Sequence, residues 1–115
     1  VEVKGNTSTA PTVSSDSITN INSTAADGNG RVRSDGGSTM TQRGFCWRTS
    51  LPPPTSDSTV TAAGTTGSYS ATMTGLTVGT TYHMRAYATN AIGTSYGADT
   101  QFTTVYSALL GWFTA

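Results

Sequence analysis

Gly75-Leu76-Thr77-Val78-Gly79-Thr80-Thr81-Tyr82-His83-Met84-Arg85-Ala86-Tyr87-Ala88-Thr89-Asn90 is the stretch on which the reading of this chain turns. From Thr81 the residues alternate. Tyr82, Met84, Ala86 and Ala88 fall on one side, and His83, Arg85 and Tyr87 on the other. That period of two belongs to a β-strand with one face on a core. The spacing predicts a strand over 81–90, its inward face apolar and its outward face open to water. Asn90 to Gly93 turns the chain, and Tyr96 to Thr104 returns it.

Working toward the N-terminus, the same logic repeats at roughly ten-residue intervals. Tyr69, Ala71 and Met73 alternate with Ser70, Thr72 and Thr74, after a turn bracketed by Gly64 and Gly67. A short strand is expected near Ser58 to Ala62. Leu51-Pro52-Pro53-Pro54 breaks the ladder before it, because three successive residues lack an N–H donor. In Met40 to Thr49, Arg43, Phe45 and Trp47 share one side, and Gly44, Cys46 and Arg48 the other. Asp35-Gly36-Gly37 reads as a hairpin turn, Ile21 to Val32 as the second strand, and Pro11 with Val13 and Ile18 as a bent edge strand. No stretch of twelve residues shows helical periodicity before the tail. About seven short strands with turn signals between them indicate an all-β, antiparallel, seven-stranded β-sandwich. Residues 1–10 form a polar lead-in arm, 11–104 the sandwich and 105–115 an apolar C-terminal tail.

The 115 residues suit one domain with a modest core. Charged residues make up 10%, the net charge is zero, and Ser and Thr supply about a third of the chain. Ten Phe, Trp and Tyr spread along it argue against disorder. The basic residues Lys4, Arg31, Arg33, Arg43, Arg48 and Arg85 are scattered, which argues against nucleic acid or an anionic membrane as partner. Cys46 is the single cysteine, so no internal disulfide forms. No apolar run is long enough for a membrane span. A start at Val1 reads as a processed product or a fragment.

The stretch 75–90 resembles fibronectin type III-like domains of the immunoglobulin-like β-sandwich class, as found in bacterial secreted and surface proteins. The flanks agree: Ser34-Asp35-Gly36-Gly37, Arg43-Gly44-Phe45-Cys46-Trp47 and Asn90-Ala91-Ile92-Gly93-Thr94-Ser95-Tyr96-Gly97. The resemblance runs from Pro11 to Thr104. It implies that Tyr82 is a corner tyrosine whose hydroxyl bonds to upstream backbone, with Leu76 as its apolar anchor, and Trp47 joins them as a fold-defining residue. Val78 stands where the family commonly has proline. Ala25 to Gly30 departs from an alternating apolar strand and reads as bulged or short.

No constellation for catalysis stands out. Asp27-Gly28-Asn29-Gly30-Arg31 resembles the opening of a calcium loop, but Arg31 falls on a ligand position and no glutamate follows, so a turn or bulge is the better reading. His83 is the only histidine and is placed on an open sheet face, without a metal cluster or a nucleophile elbow. Cys46 reads as a small packing residue. Asp16, Asp27, Asp35, Asp57 and Asp99 sit mostly in expected turns, where aspartate caps backbone. Asn6-Thr7-Ser8 and Asn22-Ser23-Thr24 fit the glycosylation acceptor pattern. The expectation is a non-enzyme with no cofactor and no metal.

Val105, Tyr106, Leu109, Leu110, Trp112 and Phe113 make the tail distinctive. Residues 105–115 hold half of the chain's leucines, one of its two tryptophans and no charge. Burying the four largest would contribute about 1.5–3 kcal/mol each. Such a segment either folds over its own sandwich, leads into a following domain, or docks on another subunit. The favoured expectation is an extracellular structural or assembly module on a cell or virion surface. It would be a homo-oligomer, or bind another surface or virion protein, through its ends as a fibre, lattice or decoration layer. The alternatives are an adhesion or ligand-binding module using His83, Arg85 and Tyr87, with a glycan as one ligand class, and a spacer in a secreted glycan-degrading enzyme.

Overall fold

The computed structural model describes residues 8–49 and 58–106. In chain order its strands are β1 (Thr12–Thr19), β2 (Ala26–Ser34), β3 (Met40–Arg48), β4 (Ser58–Thr61), β5 (Gly67–Met73), β6 (Thr81–Asn90), β7 (Thr94–Tyr96) and β8 (Thr100–Thr103). One sheet is ordered β1-β2-β5. The other is β4-β3-β6, with β7 and β8 both pairing on the free side of β6. Every pairing is antiparallel. The molecule is an all-β, immunoglobulin-like sandwich, and the stretch 81–90 is the central strand of its larger sheet.

Eight strands stand where seven are expected because the last one is interrupted. β7 pairs Tyr96 with Tyr87, and β8 pairs Thr100 with Met84, leaving 97–99 outside the ladder. Gly97 N donates to Ala86 O at 2.8 Å. The Ala86 N–H, facing the gap, donates instead to Ser15 Oγ at 3.0 Å. Ser15 lies where β1 slips register against β2. It approaches Gly97 so closely that a Cβ there would meet Ser15 N at 2.4 Å. One strand's irregularity thus satisfies an amide that another strand's break exposes.

The core fills the space between the sheets with Ala26, Val32, Phe45, Trp47, Tyr69, Met73, Leu76, Tyr82, Met84, Ala86, Ala88 and Phe102, closed at one edge by Met40. Phe45 and Tyr69 meet at 4.9 Å between ring centroids, and Tyr82 and Phe102 at 5.7 Å. The second strand departs from expectation in two ways. It begins at Ala26 rather than Ile21, because Asn22 Oδ1 accepts from Thr24 N and Ala25 N and holds 22–25 as a turn. It is also neither bulged nor a turn over Asp27–Arg31: it pairs in unbroken register with β5. Gly28 and Gly30 occupy core-facing positions there. A Cβ at Gly28 would lie 3.1 Å from the Phe45 ring, and one at Gly30 would lie 3.0 Å from Ala86 Cβ and 3.0 Å from Ser14 O. The glycines leave room for Phe45.

Asp35-Gly36-Gly37 is a tight turn, with φ of 74° and 87° at its glycines. It is not a hairpin. β2 and β3 belong to different sheets, so the turn carries the chain across the sandwich. Residues 8–10 are bound to it: Thr9 N donates to Gly36 O at 2.9 Å. The buried Asn90 side chain donates to Thr9 O and Asp35 O, both at 2.8 Å. The chain therefore enters the sandwich at the end that holds the 35–37 and 90–93 turns. The antiparallel order brings residues 20–25, 74–80 and 104–106 together at the opposite end, where it leaves.

Candidate functional site

The exit end is built around the corner that precedes β6. Tyr82 Oη accepts from Thr77 N at 2.8 Å, and Leu76, 4% exposed, donates its N–H to Thr24 O at 3.0 Å. Thr104 then ties the end of the last strand to the same loop. Its N–H donates to Thr80 O at 3.0 Å, and its hydroxyl donates to Thr77 O at 2.6 Å and accepts from Thr80 N at 3.0 Å. One residue further, Val105 N donates to Asn22 O at 3.2 Å and Val105 O accepts from Gly79 N at 3.1 Å. The backbone is thus fixed up to Val105, while the side chains of Val105 and Tyr106 are exposed.

Val105 is 46% and Tyr106 66% exposed. Ile21, at 36%, adjoins Asn22, and Val78, at 44%, adjoins Gly79. Among the described residues, the remaining exposed large apolar side chain is Ile92, at the entry end. The Tyr106 ring lies over Gly79, where a Cβ would come within 2.6 Å of Cε1. Four exposed apolar side chains therefore lie on three segments that hydrogen bonds hold together where the chain leaves. Of the expected docking residues, Val105 and Tyr106 belong to this patch; Leu109, Leu110, Trp112 and Phe113 lie outside the described residues.

The other expected surface, His83, Arg85 and Tyr87, does not exist as an open face. Tyr87 is 1% exposed. Its neighbours in register are Gly44 and Tyr96, and burial raises its hydroxyl above the usual tyrosine range, with the nearby Cys46 and Tyr96 adding to the effect. The period-two pattern gave its side of the sheet correctly and its solvent exposure wrongly, because alternation reports direction and not what covers a face. His83 Nδ1 lies 2.9 Å from Asp99 Oδ2, and the Arg85 guanidinium sits 4.0 Å from the Tyr96 ring centroid. Both polar side chains are engaged by the broken last strand. Asp99 thus serves His83 rather than a turn.

Sequence reasoning also missed Arg43, which faces the core edge and is 8% exposed. Its guanidinium stacks on Tyr69 at 4.6 Å from the ring centroid and donates to Ala63 O, and to Thr65 O at 2.7 Å. Tyr69 in turn donates to Gly44 O at 2.8 Å, and burial pushes its hydroxyl far above the ordinary range. Alternation sets Arg43 on the side of Phe45 and Trp47 without telling that a cation is buried there, and the carbonyls of the 63–66 loop explain why it is stable. Asp27 is held by Asn20 Nδ2 and Thr72 Oγ1, both at 2.7 Å, which lowers its carboxyl below the usual range.

A shallow cleft of about 240 Å³ lies between Asp16, Asn29, Ser68, Tyr69 and Ser70. Among the described residues, no three His, Cys, Asp or Glu side chains converge as a metal site would require, and no helix is long and apolar enough to cross a membrane.

No family model and no curated protein matches the sequence. Solved structures do match in fold. A crystal structure of several titin domains aligns with a TM-score of 0.54 at 18% identity, over 84% of this chain and 32% of that one. The sensor domain of the anti-sigma factor RsgI4 of Pseudobacteroides cellulosolvens aligns in its short form with a TM-score of 0.58 at 17% identity, over 84% of this chain and 96% of that domain. Its solution structure aligns at 0.59 and 18%, over 83% and 75%. At these identities the likeness is one of fold: this chain is similar to immunoglobulin-like sandwich modules.

Proposed function

We propose that the chain is a non-catalytic, extracellular structural module of the fibronectin type III kind. It is joined end to end with further copies or with another surface protein, through its terminal segments, as part of a fibre, lattice or surface layer. One observation carries the reading: the chain enters and leaves at opposite ends, and exposed apolar side chains collect where it leaves. A module with that polarity extends in a line, and head-to-tail contacts that do not close make filaments. The corner at Tyr82 and the division of strands between the sheets support the family assignment.

The test is sedimentation velocity on chain 1–115 and on a chain ending at Tyr106. The reading expects concentration-dependent oligomers of the first and monomers of the second. Intact chain that stays monomeric at high concentration contradicts it.

A ligand-binding module is the second reading. The cleft at Asp16, Asn29, Ser68 and Ser70 supports it, as does the likeness in fold to the RsgI4 sensor domain. The cleft is smaller than most small-molecule pockets. Reproducible glycan binding that is lost on Asn29→Ala would favour it over assembly.

A further inference from the structure

The outer face of the β1-β2-β5 sheet divides into two parts. Toward the exit end, Asp27, Asn20 and Thr72 spend their polar atoms on one another. At mid-strand the chain leaves a hollow instead. β1 slips register between Ser15 and Ile18, so Asp16 and Ser17 together stand opposite Asn29. Asn29 lies between the core-facing Gly28 and Gly30 and pairs in register with Ser70, which sets both side chains on the outer face. The Asn29 amide nitrogen donates to Ser17 O at 2.9 Å and to Thr19 Oγ1 at 3.1 Å, and so holds the bulge. Its Oδ1 accepts from no group among the described residues. The result is the cleft of about 240 Å³ between Asp16, Asn29, Ser68 and Ser70. We propose that this cleft holds one ring of a neutral sugar chain, through the Asp16 carboxylate, Asn29 Oδ1 and the Ser68 and Ser70 hydroxyls. The inference rests on the ligand-binding reading, and it names the ligand class and the atoms that hold it.

Three features favour such a ligand. The first is hydrogen-bonding capacity. Among the described residues, no hydrogen bond occupies the Asp16 carboxylate or the Ser68 and Ser70 hydroxyls, and all three residues are exposed. Carboxylate and carboxamide oxygens accept, and a hydroxyl both accepts and donates, a set that suits neighbouring hydroxyls on one ring. The second is charge. Arg31 pairs with Ser68 in register and borders the cleft, so its guanidinium offsets Asp16 and the site favours no ion. A hard cation would want six or more oxygens, and no three acidic, histidine or cysteine side chains converge among the described residues. The third is position. The cleft lies at mid-strand, away from both ends of the sandwich, so copies joined end to end would each still present it. Its volume is below that of pockets that enclose drug-sized ligands, and an open cleft of that size suits one ring of a longer chain.

Two-dimensional NMR of the full chain, titrated with cellohexaose, mannohexaose and chitohexaose at millimolar concentration, tests the proposal. At least one of them should shift the amides of Asp16, Asn29, Ser68 and Ser70. Asp16→Ala and Ser70→Ala, both at exposed positions, should each weaken that binding about threefold to tenfold, the effect of one lost hydrogen bond, while thermal melts stay unchanged. Shifts confined to another surface overturn the cleft yet leave the ligand-binding reading standing. Silence from all three sugars overturns the cleft and that reading together, and binding indifferent to both substitutions overturns the cleft alone. Tighter binding of hexagalacturonate, an acidic chain, overturns the assignment to a neutral sugar.

Discussion

At the scale of single residues, Tyr82 and Gly30 make the most direct claims. Tyr82→Phe leaves the Thr77 N–H without its 2.8 Å acceptor inside the corner. It should cost about 0.5–1.5 kcal/mol in urea unfolding, the net worth of one ordinary hydrogen bond. Gly30→Ala places a methyl against Ala86, Ser14 O and the Phe45 ring. It should cost about 1–3 kcal/mol by overpacking, and Phe45→Leu in the same chain should recover part of that loss, a coupling a double-mutant cycle measures. Titration gives a third test. Asp27's carboxyl is lowered in the fold by Asn20 first and Thr72 second. Its contribution is therefore full above the unfolded value near 3.8 and is lost as pH falls through the folded value. Thermal melts should decline below about pH 4, and Asp27→Asn should decline less. Tyr69 and Tyr87 work at the other extreme. Their raised hydroxyls favour the protonated form in the fold, so stability should fall as pH rises above the unfolded value of 10.

Among the elements, the interrupted last strand has the sharpest consequence. Ser15→Ala removes the acceptor for Ala86 N and should speed exchange of that amide by at least tenfold without changing the β3–β6 ladder. The contrast between what the sequence revealed and what it hid is clearest at this scale. β6 was legible because Tyr82, Met84, Ala86 and Ala88 make a pattern only a half-buried strand satisfies. β2 was legible only in part. Its core positions Gly28 and Gly30 are defined by the bulk of Phe45 on the facing sheet, a partner that local pattern cannot name. The 35–37 turn was found from its glycines. Its role was not, because turn chemistry looks alike whether the next strand pairs beside the last or crosses to the other sheet. The break at 97–99 escaped notice because its compensation comes from Ser15, some eighty residues earlier in the chain. The candidate site divides the same way. Exposed Val105 and Tyr106 could be suspected from composition alone. Ile21 and Val78 join them only through bonds between Asn22, Gly79 and Val105, which folding creates.

For the whole molecule, the proposed function makes the sandwich a link with an entry end, fixed by Asn90 and the 35–37 turn, and an exit end, fixed by Thr104 and the corner. Such a link transmits direction: copies joined through their ends lengthen an assembly without thickening it. Small-angle X-ray scattering of the intact chain across a concentration series measures this directly. End-to-end assembly should give a maximum dimension that grows in steps of one sandwich length at constant cross-section, and no growth once residues 107–115 are removed. A dimension that stays at one sandwich, or a cross-section that widens as copies add, would contradict it.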